Sequence, residues 1–244
     1  MCPRFLRKNL SGIRQLDSAV TDSRHCHHHH HPPSHIHRAG VTPAKKLVPD
    51  FTTNASDRPL IVQFGAHSST DFARAAEMVK PYADGINLNC GCPQTWAIQE
   101  GIGCKLIQQP QLVKEMVRAA KDRCGEDFCV SIKIRIHHDL RETVDFVKIV
   151  EDSGVDYITV HGRRRSQRSS EPVNLEAIAL VKSVAGVPIV ANGDVFNLED
   201  VKKIVGVTGV DGKFLSVPRG SGKPECWVPF GSWLPVPDKK YLNI

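Results

Sequence analysis

The sequence predicts an α/β protein built on a parallel sheet with crossover helices. Three observations point there. Short apolar runs alternate with segments of helical period across residues 50–212. The runs are apolar on both faces, as strands covered by helices on each side require. Each run also finishes on polar residues at its C-terminal side, where the sites of such folds are built.

Taken in order, Leu60–Phe64 (LIVQF) is the first strand, just after Arg58-Pro59. Ser69–Lys80 is a helix, with Asp71 near its start and Phe72, Ala75, Ala76 and Val79 at helical spacing. Gly85–Cys90 (GINLNC) is the second strand. Pro110–Cys124 is an amphipathic helix with proline in its first turn and Leu112, Val113, Met116, Val117 and Ala120 on one face. Val130–Ile134 is a strand and Leu140–Ser153 a helix. Asp156–Val160 and Leu175–Val184 repeat that pair, as do Pro188–Ala191 and Leu198–Val205.

The flanks read differently. Residues 1–49 carry eight Lys/Arg against two Asp, which accounts for the whole net charge of +6. Eight of the twelve histidines lie there, including the run His27–His31, and no period is visible, so this stretch is expected to be a disordered, basic, His-rich tail. The His run suits either a metal ion or plain low complexity. Residues 213–244 hold five of the sixteen prolines, with Trp227 and Trp233, and read as an irregular tail. The domain organisation expected is therefore 1–49 tail, 50–212 catalytic domain, 213–244 tail. No apolar run reaches the roughly 20 residues that span a bilayer, and the basic start lacks an apolar signal core. The eight cysteines are irregularly spaced. They read as reduced thiols of a cytosolic, nuclear or mitochondrial protein, and no pairs stand at zinc spacing.

The strand ends supply the chemistry. They are Gln63; Asn89-Cys90-Gly91-Cys92; Lys133 and Arg135; His161-Gly162-Arg163; and Asn192-Gly193-Asp194. In a (β/α) barrel these converge on one face, and in an open doubly wound sheet they line a crevice. A lysine, an amide and a histidine suit the polar edge of a flat heteroaromatic ring. Asn192-Gly193-Asp194 suits a sugar or ribityl hydroxyl, with glycine allowing close approach. Cys92, on a loop before Pro93, is placed to be a nucleophile or a proton donor; an ordinary thiol is mostly protonated at neutral pH, which suits an acid. Cys90 reads as a buried strand thiol. Neither a dinucleotide-binding nor a P-loop glycine pattern is present.

Asn89-x-Gly91-Cys92-Pro93, followed by Gly101-x-Gly103 and Leu106-Ile107, resembles the signature of tRNA-dihydrouridine synthases. Gln63, Lys133 in VSIKIRI, His161-Gly162-Arg163 and Asn192-Gly193-Asp194 fit the same family, and FTTN, PLIVQF, NCGCPQ and ITVHGR are similar to its eukaryotic branch acting at positions 20a and 20b. The resemblance implies an FMN-binding (β/α)8 TIM barrel that reduces a tRNA uridine to 5,6-dihydrouridine with NADPH or NADH, in the cytoplasm or nucleus. It implies hydride delivery to uracil C6 and protonation of C5 by Cys92. It assigns Gln63, Lys133, His161, Asn192, Gly193 and Asp194 to FMN, and Asn89, Arg135 and Arg163 to the substrate.

Two departures shape the expectations. Members of the family open with a strand that packs on the flavin, which residues 1–49 do not show, and Asp211-Gly212 runs into proline-rich sequence. Arg219-Gly220 resembles the family's phosphate loop at a different spacing. The barrel is thus expected to be incomplete, with five or six βα units, as in a chain truncated at both ends. Missing neighbours would leave Leu60–Phe64 an open edge, and FMN binding and folding would both be weak. The rival readings are an inactive fragment acting as a binding protein and another FMN barrel reductase. Residues 50–212 carry a net charge of −3, so the cluster Arg163, Arg164, Arg165 and Arg168 is the candidate phosphate contact.

Overall fold

The structure, a computed structural model, describes residues 14–16, 53, 58–216 and 230–235. Eight strands close into a barrel in chain order: β1 Arg14–Leu16, β2 Leu60–Phe64, β3 Gly85–Cys90, β4 Cys129–Ile136, β5 Tyr157–Arg164, β6 Ile189–Asn192, β7 Gly212–Ser216 and β8 Phe230–Pro235. Strands β1 to β7 pair in parallel, neighbour to neighbour. β8 runs antiparallel to both β7 and β1.

The crossovers are helical. α1 Ser69–Val79 follows β2; α2 Thr95–Gln99, a 3-10 turn at Gly103–Gln108 and α3 Pro110–Cys124 follow β3. α4 Leu140–Glu151, α5 Leu175–Val184 and α6 Leu198–Thr208 follow β4, β5 and β6. Side-chain caps start four of these helices: Ser68 on α1, Asp139 on α4, Asn174 on α5 and Asn197 on α6. Each satisfies backbone N–H groups that a first turn leaves without partners.

The βα repeat is the expected incomplete one, with six successive parallel strands from β2 to β7. The flanks differ from expectation in three places. Arg14–Leu16 lies within the stretch expected to be disordered, yet forms β1 and pairs with Leu60–Val62, so β2 is not an open edge. β7 runs past residue 212 to Ser216, and Phe230–Pro235 forms β8, both within the stretch expected to be irregular. β8 takes the hydrogen bonds that β7 and β1 would otherwise expose. The other residues of both flanks, with the His run and Arg219-Gly220, lie outside the described residues.

Strand side chains divide cleanly. Leu60, Val62, Ile86, Leu88, Ile132, Ile134, Ile158, Val160 and Ile189 join one apolar cluster with helix residues such as Phe72, Met116, Val117, Phe146 and Ile178. The alternate positions face the barrel interior, because strand side chains alternate between faces.

At the floor, opposite the strand C-termini, one device recurs three times. Asp84, Asp156 and Asp211 stand just before β3, β5 and β7. Their Oδ2 atoms accept the N–H groups of Leu60 (2.6 Å), Val130 (2.6 Å) and Ile189 (2.8 Å) on the preceding strand. Each carboxylate also holds one cation, Arg58, Lys121 or Lys182. Every second strand is thereby pinned to its predecessor at the closed end, leaving the other end free to carry the site.

Candidate functional site

Parallel register stacks the interior residues in tiers. Gln63, Asn87, Ser131 and Tyr157 form a deep tier, next above Ile61, Gly85 and Cys129. Asn89, Lys133, Thr159 and Val190 form the next. Arg135, His161 and Asn192 form the rim. The polar strand ends read from the sequence therefore converge on one mouth. The tier below them is polar as well, through Asn87 and Ser131, which alternation in GINLNC and VSIKIRI marks as facing the same way as Asn89 and Lys133.

A buried relay climbs from this deep tier to the Cys92 loop. Asn87 Nδ2 donates to Ser131 Oγ (2.8 Å), Gln63 Nε2 to Asn87 Oδ1 (2.7 Å), and Asn89 Nδ2 to Gln63 Oε1 (2.8 Å). Asn89 Oδ1 then accepts the N–H groups of both Gly91 and Cys92, each at 2.9 Å. A side-chain carbonyl folding forward onto the next residues is what Asn favours at a turn. Cys92 is half-buried at the mouth, whereas Cys90 is fully buried in the core, where burial pushes its thiol pKa well up.

The far side of the loop is backed by the 3-10 turn. Cys104 N–H donates to Cys92 O (2.9 Å), and Cys104 Sγ lies 3.1 Å from Gly91 O. Gly103, at φ +61°, makes this approach sterically feasible. His137 secures the turn: its Nε2–H donates to Ile107 O (2.9 Å), while its Nδ1 takes the Thr143 hydroxyl (3.0 Å). Burial pushes the Cys104 thiol up to about 11, so Cys104 is protonated and Cys92 is the more accessible sulfur.

Arg163 organises the opposite wall. Its guanidinium donates to Glu171 O (2.6 Å), to Ser169 O (3.0 Å) and to both carboxylate oxygens of Asp194 (2.7 and 2.6 Å). It also meets His161 Nε2 at 3.1 Å. Arginine can only donate, so Nε2 is an acceptor and the proton of the neutral ring sits on Nδ1. Burial, then the charges of Arg135, Lys133 and Arg163, lower the His161 pKa from 6.5 to about 3. The imidazole is thus a neutral hydrogen-bond donor at physiological pH. Gly193, at φ +108°, passes so near the His161 ring that a Cβ there would lie 2.8 Å from Cδ2.

Placement of the expected residues follows from these bonds. Lys133, His161 and Asn192 line the mouth with Gly193 beside them. Gln63 lies buried a tier deeper, its amide engaged by Asn87 and Asn89, and the Asp194 carboxylate beside the rim is engaged by Arg163. Asn89, Arg135 and Arg163, expected on the substrate, direct their described bonds to the protein itself. Sequence reasoning passed over Asn87, Ser131, Cys104 and Thr159. The last has a buried hydroxyl with no hydrogen-bond partner, one tier below His161 and beside Lys133. A partnerless polar atom among cationic and neutral donors fits the polar edge of a flat heteroaromatic group such as a flavin.

A family model described as dihydrouridine synthase matches residues 36–221. The chain is 51% identical over 163 residues to a tRNA-dihydrouridine(20a/20b) synthase of Schizosaccharomyces pombe, covering 67% of this chain and 50% of that protein. The Saccharomyces cerevisiae protein of that name is 47% identical over 168 residues, covering 68% and 46%. A Homo sapiens protein named as like these synthases is 46% identical over 172 residues, covering 70% and 53%. The chain spans about half the length of the curated relatives it matches.

Proposed function

The chain belongs to the dihydrouridine synthase family, and from that premise we propose that it reduces a tRNA uridine to 5,6-dihydrouridine, at positions 20a and 20b as its relatives' names indicate. The observation that carries the reading is the Cys92 loop: a half-exposed thiol at the barrel mouth, with the N–H groups of Gly91 and Cys92 fixed by one side chain.

Lys133, His161, Asn192 and the Gly193 backbone are the residues suited to hold FMN, with Asp194 bracing their wall through Arg163 and Gln63 bracing the Asn89 side. FMN held there would supply hydride chemistry toward uracil C6, with NADPH or NADH as the reductant. The chain's own groups do the rest. Cys92 holds a proton at Sγ and gives it to C5. Neutral His161 offers Nδ1–H without adding charge beside Lys133 and Arg135. A base held in its stack cannot present C5 and C6 to groups at the mouth, so the uridine leaves its stack to react. Arg164 ends β5 and Arg165 and Arg168 follow it on the β5–α5 loop, where phosphates of the flanking nucleotides would pass.

The test is direct. Purified protein is incubated with FMN, NADPH and unmodified tRNA, and the nucleosides are weighed for a gain of two hydrogens. Dihydrouridine should accumulate, and Cys92→Ala should lower its rate by about 10²–10⁴-fold while flavin reduction by NADPH continues. Unchanged tRNA beside a bound, reducible flavin would overturn the reading.

A further inference from the structure

Every backbone polar atom of the Gly91-Cys92 pair has a partner. Asn89 Oδ1 takes both N–H groups, and Cys104 N–H takes Cys92 O. Gly91 O is held from two sides, by Cys104 Sγ and by Arg135 Nε at 3.0 Å. Arg135 is the one member of this set that also reaches a different loop. Its Nη1 donates to Arg164 O (2.9 Å) and Gln167 O (3.3 Å).

Local strand geometry aims it there. The β4–β5 register shifts between Arg135 and Ile136: Arg135 pairs with His161, while Ile136 pairs with Arg164. Such a shift re-aims the side chain beside it. The stem of Arg135 runs along Gly91, whose missing Cβ would lie 3.7 Å from Arg135 Cγ. The segment it grips is itself a tight turn, closed by Gln167 N–H to Arg164 O and by Arg164 N–H to Gln167 Oε1. All the described hydrogen bonds of Arg135 go to main-chain carbonyls, so the planar fork acts as a rigid bracket between two loops.

We propose that Arg135 is a positioning residue, which ties the Cys92 loop to the arginine-bearing loop 164–168 and so sets where the Cys92 thiol stands relative to a seated RNA strand. The proposal rests on the reading of Cys92 as the reacting group. One guanidinium links the loop that meets phosphates to the loop that carries the acid, so a shift of either is felt by the other. This role differs from direct contact with the base, in which binding would weaken first.

The experiment compares wild type, Arg135→Met and Arg135→Lys, each with its thermal melt recorded. Amide hydrogen exchange is followed by mass spectrometry on the holoprotein without tRNA. Peptides spanning 91–104 and 164–171 should both exchange about tenfold faster in Arg135→Met, while α3 exchanges as in wild type. Lysine keeps the charge without the fork and should resemble methionine. Dihydrouridine formation should lose about 10–100-fold in kcat with KM for tRNA within about twofold of wild type. Wild-type exchange in both loops of both variants would overturn the proposal. So would full rescue by lysine, or a raised KM at unchanged kcat. If the wild type leaves tRNA unchanged, the reading of function fails by itself, and the exchange result still decides whether the bracket exists.

Discussion

Gly103 packs directly against Cys92: a methyl group at position 103 would stand 2.8 Å from Cys92 Cβ and 2.7 Å from Cys92 O. Main chain and Cβ cannot swing aside as a long side chain can. Gly103 also sits at φ +61°, where L side chains are strained. Gly103→Ala should therefore cost about 1–3 kcal/mol in urea unfolding. It should also lower the rate of dihydrouridine formation, because the turn backing Cys92 must move. Gly206, with open space at its Cβ position, is the control, and Gly206→Ala should cost nothing. Equal stability of the two variants would refute the crowding argument.

The Lys121–Asp156 pair is the most enclosed of the floor bridges, at 2.6 Å with both side chains nearly inaccessible. Burial raises the Asp156 pKa against the opposing pull of Lys121. Lys121 also donates to Phe128 O (3.1 Å), and Asp156 takes the Val130 N–H. Lys121→Met strands a buried carboxylate, so a loss of about 3–5 kcal/mol is expected. Lys148→Met, in a surface pair with Glu151, should lose less than about 1 kcal/mol. Chemical denaturation of the two variants checks the ranking.

Much of this fold was legible because the βα repeat writes itself locally. β2 and β3 fall at the bounds that apolar runs give them, and α3 and α5 at the bounds set by helical period. β4 and β5 extend further, to Ile136 and Arg164, because a strand at a barrel mouth continues through polar residues. β1 has three residues, too short for any period, and β8 carries Gly and Pro and owes its form to partners distant in sequence. The site shows the same division. Chain position marked Lys133, His161 and Asn192 as mouth residues, and grouped with them Gln63, which lies buried a tier deeper. It gave no sign that Arg135 would grip main-chain carbonyls, since those carbonyls come together only when two loops fold over the rim. The floor aspartates left a signal that went unread: Ala83-Asp84-Gly85, Val155-Asp156-Tyr157 and Val210-Asp211-Gly212 recur before alternate strands.

The His161 environment makes a pH prediction. Its folded pKa, about 3, lies below the unfolded value near 6.5. The unfolded chain therefore binds the extra proton first, and stability falls as pH drops through that window. At pH 5 the imidazole should account for a loss of about 2 kcal/mol relative to pH 7.5. His161→Gln keeps an acceptor for Arg163 without a titrating group. Unfolding free energies of both proteins at the two pH values give the comparison: carboxylate effects cancel, and the wild type should lose more. Parallel losses would show that His161 titrates normally.

Asn89 allows the two halves of the relay to be separated. Its oxygen serves the Cys92 loop and its nitrogen serves Gln63. Asn89→Leu removes both, stranding the Gly91 and Cys92 N–H groups and one oxygen of Gln63, and should cost about 3 kcal/mol or more. Asn89→Asp keeps the acceptor for both loop N–H groups and loses only the donor. Gln63 can answer by turning its amide to donate to the new carboxylate, and Asn87 by turning its own to donate to Gln63. The relay then ends with Asn87 accepting from the Ser131 hydroxyl, which can rotate to donate. The carboxylate also gains two charge-assisted N–H bonds, with Lys133 on the adjacent strand position. Asn89→Asp should therefore lose less than about half of what Asn89→Leu loses, and its Gly91 and Cys92 amides should keep their protection from exchange. Ser131→Ala alone removes the acceptor of the Asn87 N–H group, and combined with Asn89→Asp it removes the donor to the Asn87 oxygen instead, so one bond is lost either way and the double variant should lose about the sum of the single losses. An Asn89→Asp variant that loses as much as Asn89→Leu would mean that the amides do not turn, since the unturned Gln63 oxygen would then face the new carboxylate.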